Sequence, residues 1–216
     1  MQPSTGRLGK RNGIIAEPDL PFAYIVSVAL KSQPVVYVSF SAEIIPNTTE
    51  SLIATLANCA NEGVKEVRLL LSTPGGSVMH GMNLYTVLRG MPFKLVTHNV
   101  GNVDSIGNAV FLAGAERYAS PHSTFMFHGV GFDVQAQARF EEKVLRERLQ
   151  SVEADQKRIG SVILDRTKLD DATVRQLFLE AQTKDAAYAV GCGIVHEVRD
   201  VQIPAGVPVL ALVFQR

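Results

Sequence analysis

Residues 67–78 read VRLLLSTPGGSV. The mostly apolar run from Val67 to Leu71 is typical of a strand that is buried on both faces of a parallel sheet. The Ser-Thr-Pro-Gly-Gly turn ends the strand, and apolar residues then recur at helical spacing. These residues are Val78, Met82, Tyr85 and Leu88. A strand, a tight turn and a helix in this order predict an α/β domain with parallel strands.

The same alternation continues on both sides of this segment. Further strands are predicted at Phe22–Leu30, Val35–Phe40, Leu95–Val100, Thr124–Phe127 and Ile194–Val198. Further helices are predicted at Thr48–Gly63, Asn108–Ala115, Gln135–Arg166, Asp171–Ala181 and Asp185–Cys192. The helix at residues 135–166 is longer than one small core needs, so we expect part of it to pack on another subunit. We expect a flexible tail at residues 1–18, a domain at 19–200 and an extension at 201–216.

The composition limits the possible functions. The chain has 216 residues, of which 46% are hydrophobic and 19% charged, as in one globular domain. Its 21 basic and 21 acidic side chains balance, which argues against a nucleic-acid-binding protein. The two cysteines, Cys59 and Cys192, cannot form a disulfide framework and fit a reducing compartment. The apolar run at residues 20–30 is too short to cross a bilayer, so we expect a cytoplasmic protein without a membrane segment.

Two strand-to-helix turns carry residues that could do chemistry. At Gly75-Gly76 the backbone amides lie at the start of a predicted helix, which suits an oxyanion hole. Ser105 begins the next helix, and the amide of Ile106 could be a second donor. The segment is not the nucleophile elbow of α/β-hydrolases, which has glycine where this chain has Val103. Taken alone, Ser105 would be interpreted as a helix N-cap and His128, at the end of an apolar strand, as a core histidine.

The sequence contains no pattern for a metal or a cofactor. Its five histidines are dispersed, without the spacing of a zinc site. No phosphate-binding loop is present either. We therefore expect neither a metal nor a cofactor.

Several short motifs resemble those of the Clp protease proteolytic subunit family. They are STPGGSV at 72–78, Gly81-Met82, Gly101, Ser105-Ile106-Gly107, LAGA at 112–115 and Met126-Phe127-His128. That family has a Ser-Pro-Gly-Gly-Ser-Val turn, a Ser-Met-Gly nucleophile segment, a Leu-Ala-Gly-Ala helix end and a Met-Ile-His strand in this order. The likeness covers residues 35–198 with one small deletion before Arg117.

The resemblance implies a fold and a chemistry. The fold is the α/β, ClpP/crotonase-like one, with repeated β-β-α units and a long protruding helix for oligomer contacts. Ser105 falls on the family's nucleophile and His128 on its general base, while Gly76 and Ile106 fall on its oxyanion amides. The implied activity is that of a serine endopeptidase working through an acyl-enzyme.

The same family implies partners. It forms stacked rings of seven subunits around a chamber, and the helix at residues 135–166 fits the ring-to-ring contact. The substrates would be peptides or unfolded proteins, and an AAA+ unfoldase would supply any dependence on ATP.

The chain departs from the family pattern at the third member of the catalytic triad. Ala181 occupies the place of the expected aspartate. Glu180 is the nearest carboxylate and our candidate, although it lies off the apolar face of its helix; Asp185 is the other candidate but has the spacing of an N-cap. Asp104 and Gly129 also replace the family's residues, beside Ser105 and His128 respectively.

Two alternatives follow from these departures. One is a catalytically impaired ring subunit that works with an active partner, because losing the aspartate lowers activity about 10⁴-fold in serine proteases. The other is an acyl-CoA enzyme of the related crotonase fold, which uses paired backbone amides for a thioester oxyanion.

Overall fold

The computed structural model describes residue 30 and residues 33–134 and 139–214. The predicted tail at 1–18, almost all of the predicted strand at 22–30 and residues 135–138 of the long predicted helix lie outside the described residues.

The described residues form one sheet flanked by helices. Its strands are β1 (Val35–Ser41), β2 (Glu66–Thr73), β3 (Lys94–Asp104), β4 (Glu116–Ala119), β5 (Thr124–Met126), β6 (Thr183–Asp185), β7 (Glu197–Val198) and β8 (Val209–Leu212). The helices are α1 (Pro46–Asn61), α2 (Val78–Gly90), α3 (Gly107–Phe111), α4 (Glu142–Arg166), α5 (Asp171–Glu180) and α6 (Ala186–Gly191). The strand order is β6-β5-β3-β2-β1-β8, and β4 pairs with β3 and β7.

The strand pairing confirms the predicted parallel α/β architecture. β1 and β3 flank β2, and both pairs are parallel, as is every other pair in this sheet except β5 with β6. Because β2 is paired on both sides, it lies inside the sheet, and Val67, Leu69 and Leu71, which share one face, are fully buried. Arg68 and Leu70, on the other face, line a cavity.

β3 extends further than the sequence predicts, and this places the candidate nucleophile. The strand first pairs with β4 and then, from Asn102 to Asp104, with β5. Its register with β2 shifts between Leu71 and Thr73. Ser105 therefore follows directly after a strand that is paired up to its last residue.

Three predicted boundaries were wrong. The long helix begins at Glu142, not at Gln135, because Glu141 has extended backbone angles (φ −87°, ψ 157°) and the carboxylate of Glu142 fits the first helical turn. The last predicted strand shortens to Glu197–Val198, since the Val195 amide donates to the Ala189 carbonyl instead of to a strand. The predicted helix at 108–115 is confined to Gly107–Phe111.

Three strands were not predicted, namely β4, β6 and β8. They are short, and β6 consists of Thr-Lys-Asp, so only its antiparallel pairing with β5 makes it a strand. β8 lies within the predicted C-terminal extension and adds a parallel edge strand to β1. The division of the chain at residues 18 and 200 stays a prediction.

Helix α4 is long, but its composition is strongly polar. Among the described residues, no helix is long and apolar enough to span a membrane.

Candidate active site

Ser105 lies in a tight turn between β3 and α3. Its φ of 57° is in the left-handed region, which costs a residue other than glycine about 1–3 kcal/mol and persists only where neighbouring contacts fix it. These contacts are present. The Ser105 amide donates to the Met126 carbonyl at 2.8 Å, and Nδ2 of Asn108 donates to the carbonyls of Ser105 at 3.0 Å and Met126 at 2.8 Å. The turn is thus tied to the end of β5.

The Gly75-Gly76 turn packs directly on Ser105. Both glycines have positive φ, 90° at Gly75 and 140° at Gly76. A Cβ on Gly75 would lie 2.7 Å from the Ser105 Cβ, and a Cβ on Gly76 would overlap the Ile44 carbonyl. Both positions therefore require glycine, for backbone conformation and for space.

Two backbone amides at these turns are available to a ligand. The neighbours of Gly76 are occupied, since the Gly75 amide donates to Thr73 Oγ1 at 3.1 Å and the Ser77 amide to the Ile44 carbonyl at 2.8 Å. Within the part of the chain that the structure describes, the amides of Gly76 and Ile106 have no protein acceptor. Free main-chain donors beside a serine are what an oxyanion hole requires.

His128 lies two residues after the end of β5, and Phe127 separates it from the strand. The Phe127 amide donates to the Gln182 carbonyl at 2.9 Å, which continues the β5–β6 pairing up to the histidine. The imidazole is half-buried, and its Nδ1 lies 2.7 Å from the Gly129 carbonyl oxygen.

Ser105, His128 and Gly76 line one cavity of about 300 Å³. The rest of its lining is mostly apolar: Val78, Phe127, Val130, Gly131, Phe132, Ile159 and Phe178, with one carboxylate, Asp133. The structure thus brings together the predicted nucleophile, the predicted base and one predicted oxyanion glycine. Ile106 presents its amide at the same turn, while its side chain is fully buried.

The structure does not bring Glu180 to this cavity. Glu180 is exposed, and its carboxylate accepts hydrogen bonds from Nε2 of Gln176, at 2.8 Å, and of Gln182. Asp185 caps α6, with Oδ1 accepting from the Tyr188 amide at 2.8 Å, which confirms its interpretation as an N-cap.

Asp104, beside the nucleophile, belongs to a polar network on the neighbouring strands. Its Oδ2 accepts from Nδ2 of Asn102 at 2.6 Å, and Asn102 also bonds Ser72 Oγ at 3.0 Å and the Thr73 carbonyl at 3.1 Å. This carboxylate is half-buried and is not part of the cavity lining.

Sequence reasoning missed the segment that follows His128. Gly131, Phe132 and Asp133 line the cavity although they lie in no helix or strand, so no periodic pattern could have indicated them. Within the described ranges, no group of three or more His, Cys, Asp or Glu side chains could hold a metal ion.

Comparison with known proteins places the chain in a family. A family model described as Clp protease matches residues 23–202. The chain belongs to the Clp protease family. It is 35% identical over 78 residues to the ATP-dependent Clp protease proteolytic subunit 1 of Corynebacterium jeikeium, a match that covers 33% of this chain and 42% of that protein. It is 30% identical over 111 residues to subunit 2 of Chlamydia trachomatis, covering 47% of this chain and 55% of that protein. The matched region thus spans about half the length of these curated relatives.

A solved structure shows the same fold. A mutant of ClpP1 from Listeria monocytogenes superposes with a TM-score of 0.68, over 78% of this chain and 92% of that one, at 16% identity. The ClpP-type α/β fold with its long helix, predicted from the motifs, is therefore confirmed.

Proposed function

We propose that this Clp family chain is a serine-type peptidase subunit that cleaves peptide bonds through an acyl-enzyme. The observation that carries the proposal is the shared cavity of Ser105, His128 and Gly76, with Ser105 held in a strained turn beside two free amides. A strained serine that shares a cavity with a histidine and free main-chain donors supports a site for acyl transfer.

The reaction follows from these groups. Ser105 Oγ attacks the peptide carbonyl carbon while His128 takes its proton, and the amides of Gly76 and Ile106 donate to the developing oxyanion. His128 then returns the proton to the departing amine as the C–N bond breaks, leaving an ester on Ser105. Water, deprotonated by His128, attacks this ester, and the acid product leaves as Ser105 regains its proton. No cofactor takes part.

The lining of the cavity favours a peptide substrate in which the residue that supplies the carbonyl of the cleaved bond has an apolar side chain. Phe127, Val130 and Phe178 contribute aromatic and branched surface, which favours burial of an apolar side chain over a charged one. A cavity of about 300 Å³ has room for one side chain of a substrate. We propose peptides or unfolded proteins as the substrates, as the resemblance to the Clp protease family implies.

The exposed apolar residues of α4 support an oligomer. Val144, Leu145 and Leu149 are 37%, 49% and 57% exposed on a helix that is otherwise highly charged. Exposed apolar residues of this kind mark contact sites. We propose a homo-oligomeric ring, a heptamer or stacked heptamers, fed by an AAA+ unfoldase in the cytoplasm.

One observation favours a second candidate function, a catalytically impaired ring subunit that assembles with an active partner. The described residues place no carboxylate on Nδ1 of His128, and Ala181 stands where the family has aspartate. Glu180 as the third triad member stays a prediction. The crotonase-type alternative has no comparable support, because the family match is to Clp proteases.

A fluorophosphonate probe tests the proposal directly. We expect covalent labelling of the wild-type chain on Ser105, no labelling of Ser105→Ala, and a native mass of several subunits. Labelling that persists in the Ser105→Ala variant would show that another residue reacts. An assembled but unlabelled chain would favour the impaired subunit.

A further inference from the structure

The imidazole of His128 has a main-chain partner where serine proteases have a carboxylate. The Gly129 carbonyl oxygen lies 2.7 Å from Nδ1. A carbonyl oxygen can only accept a hydrogen bond, so Nδ1 carries the ring proton in this contact. In the neutral imidazole this leaves the lone pair on Nε2, which is the form a base needs in order to take the Ser105 proton.

The two peptide groups that flank Gly129 are each held by a helix. The Gly129 amide donates to the Phe178 carbonyl of α5 at 2.9 Å. The next amide, that of Val130, donates to Oε1 of Gln156 on α4 at 3.1 Å. A Cβ on Gly129 would lie 2.9 Å from the same Oε1, so the Gln156 side chain lies directly against this peptide. Two helices thus fix the orientation of the carbonyl that holds the imidazole.

The nearby carboxylates do not replace the Gly129 carbonyl as the hydrogen-bond partner of the His128 imidazole. Asp133 lines the cavity but makes neither a hydrogen bond nor an ion pair with His128 within the described segment. Glu180 is engaged by Gln176 and Gln182, and Asp185 by the Tyr188 amide.

We propose that the Gly129 main-chain carbonyl is the orienting third member of the site, and that Gln156 is a positioning residue that keeps this carbonyl in place. This inference rests on the proposed peptidase function. A carbonyl fixes the tautomer and the ring orientation as a carboxylate does, but it lacks the full negative charge that stabilises the imidazolium formed during the reaction. The chain would thus keep the tautomer that a base needs, with a reduced rate.

The ring tautomer of His128 tests the proposal without any need for activity. The full chain is labelled with ¹⁵N-histidine, and its NMR spectrum is recorded at a pH of about 8.5, where imidazoles are neutral. Comparison with the His128→Gln variant identifies the ring-nitrogen signals of His128. We expect the wild-type ring nitrogens to show the Nδ1–H form. Gln156→Leu, which removes the acceptor of the Val130 amide, should shift the ring towards a mixture of both forms. Gln156→Glu keeps an oxygen at that place and should retain the Nδ1–H form.

The rate of Ser105 labelling by the probe should follow the tautomer. We expect Gln156→Leu to lower the labelling rate about 10–100-fold, the range found when the hydrogen-bond partner behind a metal-binding histidine is lost, and Gln156→Glu to restore most of it. The matched control is Ser161→Ala on the same helix, whose hydroxyl, among the described residues, bonds only the Lys157 carbonyl of α4. This variant should change neither the tautomer nor the labelling rate. If Gln156→Leu does not fold, Gly129→Ala, whose Cβ displaces the Gln156 carboxamide, serves as the second variant.

The outcomes separate the two proposals. A wild-type ring in the Nε2–H form, or a tautomer unchanged in both Gln156→Leu and Gly129→Ala, would overturn the role of the carbonyl even if Ser105 is labelled. A chain whose Ser105 is never labelled would overturn the peptidase function, whereas the tautomer measurement would still decide the contact between His128 and Gly129.

Discussion

Two residues other than glycine have a left-handed backbone in the described ranges, Ser105 with φ 57° and Ala181 with φ 50°. Ser105 is tied to Met126, at the end of β5, by a hydrogen bond, and the β5–β6 pairing runs up to Met126–Thr183. His128 and Ala181 lie two residues beyond this last pair, so the same register, if continued, would set them opposite each other. Directly opposed residues of antiparallel strands have Cβ atoms about 5 Å apart. We therefore expect a carboxylate at position 181 to reach the imidazole.

Ala181→Asp should increase the reactivity of Ser105. Aspartate tolerates the left-handed backbone better than most residues, and its charge would stabilise the imidazolium. We expect the rate of probe labelling to rise at least about tenfold, a small part of what a triad aspartate contributes. Ala181→Asn, with the same shape and no charge, is the control and should give little gain. Equal rates for the two variants would show that the charge does not act on His128.

The other candidate carboxylate, Glu180, is tested in the same probe-labelling assay. Its carboxylate is exposed and bonded to two glutamines. Glu180→Gln should therefore label within about twofold of the wild type, as expected for an exposed group away from the reacting atoms. A large loss of labelling would support Glu180 as the third triad member.

Gly76→Ala should remove activity through the turn that presents the oxyanion donor. Its φ is 140°, and an added Cβ would overlap the Ile44 carbonyl, so the backbone must move and take the amide with it. We expect kcat for a peptide substrate to fall about 10²–10³-fold, the cost of one lost oxyanion donor.

Gly63→Ala is the matched control for backbone strain. Gly63 also has a positive φ, 75°, but has nothing within 4 Å of an added Cβ. This variant should lose about 1 kcal/mol of the free energy of unfolding without loss of kcat. If Gly76→Ala kept its activity, the Gly76 amide would not be an oxyanion donor in the mechanism.

At the scale of elements, a buried arginine joins β4, α4 and the segment after α6. The Arg117 guanidinium donates to the carbonyls of Ile194 at 2.7 Å, Gly193 at 3.0 Å, Arg166 at 3.1 Å and Gly114 at 3.2 Å. Its burial lowers the pKa of Arg117 to about 10. Three of these carbonyls, those of Ile194, Gly193 and Arg166, have Arg117 as their side-chain donor, and the Gly114 carbonyl accepts from both Arg117 and Arg166.

Arg117→Met should leave the carbonyls of Ile194, Gly193 and Arg166 without donors, whereas the Gly114 carbonyl keeps a hydrogen bond from Nη2 of Arg166 at 2.9 Å. Each buried unpaired polar group costs about 1–3 kcal/mol, so we expect the free energy of unfolding to fall by about 3 kcal/mol or more in urea denaturation. Arg175→Met is the control, because Arg175 forms an exposed ion pair with Asp171 at 2.7 Å; it should cost less than about 1 kcal/mol. Similar losses in both variants would show that the Arg117 contacts are not a special source of stability.

His98 couples pH to the packing of β3 against the C-terminal segment. The ring is buried, with Nε2 3.0 Å from the Arg199 carbonyl, and burial lowers the pKa of His98 below the ordinary value of a histidine. The unfolded chain therefore binds the proton more tightly than the folded one, and stability falls as the pH drops below about 6.5.

Denaturation in urea at several pH values measures this effect. The free energy of unfolding should decrease from pH 7.5 to 5.5, values chosen about one unit on either side of the histidine pKa. His98→Gln should flatten the decrease, whereas His122→Gln, at an exposed position, should leave it unchanged. An equal slope in His98→Gln and in the wild type would contradict the assignment.

The elements also show what a sequence can and cannot predict. The apolar period of α1, α2 and α5 and the mostly apolar run of β2 predict their positions to within a few residues, because each buries one face in the same core. β6 has no such signal, since it is polar and is defined only by its pairing with β5.

The glycine turn and the order of Ser105 and His128 predict the reacting groups. The Gly129 carbonyl and Gln156 could not be predicted, because a main-chain acceptor leaves no residue type to recognise.

At the scale of the whole molecule, the N-terminal half of α4 extends away from the core. The residues of α4 that are buried lie between Ile159 and Ile163, whereas Leu145 and Leu149 are 49% and 57% exposed. These two leucines are four residues apart and so share one face of the helix. An apolar stripe that leaves its own core is best explained by contact with another subunit.

Leu149→Glu should therefore weaken assembly without unfolding the chain. Burying an unpaired carboxylate in an apolar contact costs several kcal/mol, so the assembled fraction should fall at least about tenfold at a given concentration. The control is Gln150→Glu, which adds the same charge at the next position, on a different side of the helix. Native mass spectrometry and light scattering give the distribution of masses, and thermal unfolding checks that both variants are folded. A wild-type chain that stays monomeric, or equal dissociation in the two variants, would contradict a contact through this stripe.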